Sequence, residues 1–112
     1  MKKLGLALAL LLLGAGASAD VKPLPQSQWP HTVAEAVPHI LSTMRPLQRS
    51  IVSDTSKDSL NLLQAEWGED IEQLLGLSKG NTVLVEATCG QPCSVEQATL
   101  KLMEATWEAL KQ

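Results

Sequence analysis

Three times along this chain a hydroxyl residue is followed, three places later, by an acidic or amide side chain, with an apolar stripe at helical spacing behind it. The three are Thr32-Val33-Ala34-Glu35, Thr55-Ser56-Lys57-Asp58 and Ser94-Val95-Glu96-Gln97. This pattern starts helices, because the hydroxyl accepts the amide three residues on and the third side chain returns a bond to the cap. Behind the first lie Val33, Ala36, Val37, Ile40, Leu41 and Met44. Behind the second lie Leu60, Leu63, Trp67, Ile71, Leu74 and Leu75, and behind the third Leu100, Met103, Trp107 and Leu110. Spacings of three and four line one helical face. The sequence therefore predicts an all-α fold, a compact bundle of three to four helices. Its core should hold Val37, Ile40, Leu41, Leu63, Trp67, Ile71, Leu74, Leu100, Met103, Trp107 and Leu110 together.

Punctuation supports this reading. Pro38 falls inside the first helical stretch and should kink it or mark its true start. Arg45-Pro46 ends that stretch and opens a short helical turn through Ile51 and Val52. Gly68 either breaks the second helix or lets another helix approach closely, and Gly76 fits the residue just past its end. Thr82-Val83-Leu84-Val85 is the one β-branched run, so residues 82–88 could be a strand. With Asn81 as a cap and no partner strand in sight, they could equally be a helix.

The first nineteen residues do not fit the bundle. Lys2 and Lys3 precede an apolar run from Leu4 to Leu13 and a small-residue exit ending Ala17-Ser18-Ala19. A basic start, an apolar middle and an A-x-A exit read as a secretory signal peptide over residues 1–19, cleaved after Ala19. Residues 20–31, with Pro23, Pro25 and Pro30, read as an extended arm, and residues 32–112 as a single helical domain. Trp29 should fold back from the arm onto the body. Two of the nine basic residues lie in the leader and none of the twelve acidic ones does, so its removal moves the net charge from −3 to −5. An acidic chain with scattered lysines lacks the footprint for nucleic acid. No apolar stretch after the leader reaches the roughly 18 to 20 residues of a membrane span. A periplasmic or secreted protein is expected.

Few residues could carry chemistry. Cys89 and Cys93, with three intervening residues that include a glycine and a proline, read as a structural disulfide pinning a corner. A redox-active pair would have two intervening residues where a strand meets a helix, and neither condition holds. His31 and His39 lack a third or fourth metal ligand. No serine sits in a nucleophile elbow, and no cofactor is expected. Glu66, Glu69, Asp70 and Glu72 gather around Gly68. Like charges one turn apart are mildly destabilising, so the group is either a solvated face or a docking patch for a basic protein partner. A general-acid role would need one carboxylate in an apolar cleft. Trp29, Trp67 and Trp107 are the only aromatics; core packing explains the last two, and a ligand groove is the alternative.

The stretch Trp29-Pro30-x-Thr32-Val33-x-Glu35-Ala36-Val37 resembles the opening of a small uncharacterised domain family of bacterial proteins. The similarity continues through Gly68-x-x-Ile71, Gly76-Leu77, Gly80-Asn81-x-x-Leu84 and Cys89-Gly90 to Trp107 and Leu110. Where that family's pattern has an Arg-Asn pair after the isoleucine, this chain has Glu72-Gln73. The resemblance implies a fold and no activity. The expected function is that of an exported, non-enzymatic helical domain binding another protein, as an inhibitor or immunity-type partner. The alternatives are a small-ligand binder using tryptophans, or an enzyme using the acidic group near Gly68. Exported protein should begin at Asp20, and intact-mass analysis of the secreted form will show it. A mass counted from Met1 would sink the export argument.

Overall fold

The computed structural model describes residues 21–112, so the leader and its cleavage point after Ala19 lie outside the described residues. The fold is all-α: five α-helices and several tighter or wider helical turns pack into one bundle, with no strand among the described residues. Residues 82–88 belong to a helix.

The arm is held against the body and carries one 3-10 turn, Gln26–Gln28, among its extended residues. Helix α1 (Val33–Thr43) starts as its sequence predicts. Thr32 Oγ1 accepts from the Glu35 amide at 3.2 Å, and Glu35 Oε1 accepts from the His31 amide at 3.0 Å. Pro38 lies inside the helix, which runs on through it to Thr43. Its missing donor falls on the exposed side, with Ala34 one turn before, while Ala36 and Ile40 face inward. Arg45 is extended, as a residue before proline must be, and Pro46 opens α2 (Pro46–Asp54) at its first position. Arg49 in α2 then donates to the Leu41 carbonyl at 2.6 Å and the Met44 carbonyl at 3.4 Å, satisfying the open end of α1.

Three helical pitches follow in one continuous run. A 3-10 segment (Lys57–Leu63) passes into a π-turn (Gln64–Gly68) and then into α3 (Glu69–Leu75). The capping pattern at Thr55 does not form. Its hydroxyl donates back to the Ile51 carbonyl at 2.7 Å because Thr55 closes the end of α2, and Ser56 precedes the next segment without a side-chain cap. A β-carbon at Gly68 would lie 3.3 Å from Thr99 Cγ2 and 3.4 Å from Met103 Sδ, so the glycine admits the last helix closely. Gly76 ends α3 in the left-handed conformation, φ 69°. Its missing side chain is the space that the Trp29 ring occupies.

After a 3-10 turn, Leu77–Lys79, the buried side chain of Asn81 joins three parts of the chain. Its oxygen accepts from the Leu84 amide at 3.3 Å, and its nitrogen donates to the Leu75 carbonyl at 2.9 Å and the Pro30 carbonyl at 3.2 Å. That cap turns residues 82–88 into α4 (Thr82–Cys89). Cys89 and Cys93 are bonded to each other, their α-carbons 6.3 Å apart. Ser94 and Gln97 form the full reciprocal capping box at 3.0 and 3.1 Å, opening α5 (Val95–Leu110). Lys57 and Glu108 add an exposed ion pair at 2.8 Å, worth little to stability.

The core is larger than the expected one and rotated. Ile40, Trp67, Ile71, Leu74 and Met103 are buried as predicted, whereas Leu41, Leu63, Leu100, Trp107 and Leu110 only pack against its edge. Val37 is half-buried, because the inward face of α1 is centred on Ala36, Ile40 and Met44, one turn apart. On α5 the buried face is Ala98, Thr99, Leu102, Met103 and Thr106. Thr99 and Thr106 fit it by donating to the Val95 and Leu102 carbonyls at 2.7 and 2.9 Å.

Three substitutions test this packing by chemical denaturation. Gly76→Ala combines a left-handed backbone with a collision against Trp29, so its cost should exceed the roughly 1–2 kcal/mol of the backbone alone; a wild-type midpoint would count against that contact. Trp67→Ala empties a site only 4% exposed and should cost about 3–5 kcal/mol. Trp107→Ala, at the half-buried edge, should cost less.

Candidate functional site

A groove of about 810 Å³ opens between the arm, the C-terminal half of α1, α2 and the run from Leu63 to Leu74. Each wall follows from local sequence. On the long run, Leu63, Trp67, Ile71 and Leu74 form the apolar side, with Glu66 and Asp70 one turn apart beside them. On α2, Val52 turns into the core, while Leu47 and Ile51, also one turn apart, stay 72% and 49% exposed at the groove. The arm adds Val21, Lys22 and Leu24. It is strapped in place by the Leu24 amide, which donates to the Leu74 carbonyl at 3.0 Å. The Trp29 indole N–H reinforces the strap by donating to the Leu24 carbonyl at 3.2 Å.

Asp70 is the electrostatic anomaly of the site. Its Oδ1 is buried with no hydrogen-bond partner among the described residues. Burial raises its pKa above the usual carboxylate range, and the neighbouring charges of Glu69 and Glu66 push it the same way. Lys22, His39 and Arg45 also line the groove.

The four carboxylates singled out in the sequence do not share one face. Glu66 and Asp70 line the groove. Glu69 is exposed outside it. Glu72 accepts from Ser78 Oγ at 3.2 Å and from Thr99 Oγ1 at 3.4 Å, turned toward α5. Residues two apart on a helix face nearly opposite sides, which separates Glu72 from Asp70. The tryptophans separate too. Trp67 lines the groove and Trp29 lies over Gly76. Trp107 donates to the Thr55 carbonyl at 2.7 Å, with Lys111 Nζ 5.0 Å from its ring centre. Leu47 and Ile51 were missed as a surface feature; their four-residue spacing on a proline-started helix was the available signal.

Chemically, the groove is equipped to bind. Ser42 and His39 both reach it, yet the Ser42 hydroxyl donates to the His39 backbone carbonyl at 2.7 Å, leaving no serine–imidazole pair. Among the described residues no group of His, Cys, Asp or Glu is arranged to hold a metal ion, and no helix is long and apolar enough to cross a membrane. Comparison with protein-family models, curated proteins and solved structures returned no match.

Asp70 gives a pH-dependent test. With its pKa raised on folding, the folded state holds that proton more tightly than the unfolded one. Its effect on stability is favourable in acid, and it turns unfavourable as pH rises from the unfolded value, near 3.8, through the folded one. Asp70→Asn should therefore raise the denaturation midpoint at pH 7. The gain should shrink at about pH 3, below the ordinary carboxylate pKa. An unchanged midpoint at pH 7 would remove the argument.

Proposed function

We propose that this chain is an exported, non-enzymatic helical domain that binds a segment of another protein in the groove beside α2. The observation carrying this reading is the placement of Leu47 and Ile51, two large apolar side chains left exposed along a groove whose floor is itself apolar. Apolar surface kept in water at the rim of a concavity is characteristic of contact surfaces. The Cys89–Cys93 bond fits an oxidising compartment, in agreement with the leader. The binding surface is then the groove, with Glu66 and Asp70 of the acidic group on its wall and Glu69 and Glu72 outside it.

The test is capture from the exported-protein fraction of the source cells, with crosslinking to locate the contact. Wild-type protein should retain a partner crosslinked to residues of the arm, α2 or the Leu63–Leu74 wall. A Leu47→Asp, Ile51→Asp variant, folded as judged by its circular dichroism and melting, should lose that partner. The same partner retained by the variant, or crosslinks confined to other faces, would sink the reading.

A further inference from the structure

We propose that Asp70 anchors a lysine ammonium or arginine guanidinium of the bound partner segment, so that the groove selects an apolar stretch carrying one basic residue. This rests on the groove being the binding site.

The geometry supplies the argument. Leu47, Ile51 and Trp67 offer apolar contact, and Asp70 stands among them, partly buried, with Oδ1 unpartnered among the described residues. An acceptor oxygen held away from water without a donor is costly, and no described residue supplies one. Glu66 lines the same wall, so the negative charge at this end of the groove is reinforced. The basic groups Lys22, His39 and Arg45 line the other walls, on the arm and around the end of α1. A ligand cation in the groove would meet the accessible part of this carboxylate in a charge-assisted hydrogen bond, about twice as strong as a neutral one. Lysine and arginine suit the position because their aliphatic stems lie along apolar surface while the charged end reaches a polar group. An acidic segment would instead meet Asp70 and Glu66 as like charges.

The experiment uses two capped five-residue peptides, leucines flanking a central lysine or a central glutamine. Both are titrated into isotopically labelled protein and read by amide chemical shifts, with hexylamine as a free-amine comparison. The lysine peptide should shift groove resonances and bind about tenfold tighter than its glutamine twin. Raised salt should reduce that preference. Asp70→Asn should abolish the preference while glutamine-peptide binding persists. Leu47→Asp with Ile51→Asp should weaken both peptides. Equal binding of the two peptides in the groove, or a preference that survives Asp70→Asn, overturns the anchoring role and leaves the groove reading intact. Shifts outside the groove, or none, overturn the groove reading itself. Hexylamine binding as tightly as the lysine peptide overturns the choice of a protein segment in favour of a small amine.

Discussion

At Gly68 the last helix comes so near the 57–75 run that a β-carbon there would touch Thr99 and Met103 of α5. That close approach lets α5 act as the axis of the bundle. Its fully buried face, Ala98, Thr99, Leu102, Met103 and Thr106, is narrow and built from small or flexible side chains. The surrounding elements can therefore pack around it on several sides. The two threonines can be buried there because each hydroxyl is spent on its own helix. Close packing of this kind makes the interior intolerant of added volume, and a domain of this size has little stability in reserve.

Much of this was legible in the residues, and what was not has identifiable causes. Caps are local, so Thr32 and Ser94 behave as their neighbours dictate. Thr55 does not, because a preceding helix ended on it and took its hydroxyl first. Stripe reading found the helices but misplaced their inward faces. It follows the largest apolar side chains, whereas α1 and α5 turn small residues such as Ala36, Ala98, Thr99 and Thr106 inward, and the run through Leu60 and Trp67 changes pitch twice. Leu62 thus ends 76% exposed between two leucines that face inward or half inward. Asn81 shows the other limit. Its capping role could be read from Thr82 to Leu84, but its bond to Pro30 spans 51 residues, and no local pattern encodes it.

The groove was the least legible feature because its walls come from four separate stretches brought together by the fold. Its composition sets two demands against each other. Trp67, Ile71 and Leu74 serve the core and the groove at once, so the site cannot be reshaped without touching stability. Asp70 runs the opposite way, as a groove residue whose burial works against the folded state. Natural sites commonly trade stability for recognition in this manner.

The π-turn at Gln64–Gly68 has a consequence for how the chain tolerates changes in length. A π-turn is a helical turn carrying one surplus residue. Each residue of an α-helix advances the azimuth by roughly 100°, but the wider turn takes in its surplus residue with little net rotation between Leu60 on one side and Ile71 and Leu74 on the other. Loss of a single codon in that turn would heal the backbone into ordinary α-helix and leave both the helical content and the phase of the two halves almost untouched. Loss of a residue at the start of α3 would instead turn the Ile71–Leu74 wall by roughly 100° away from the interior it shares with Leu60. The wide turn is in that sense a slack link, where the chain can give up a residue and keep its faces aligned.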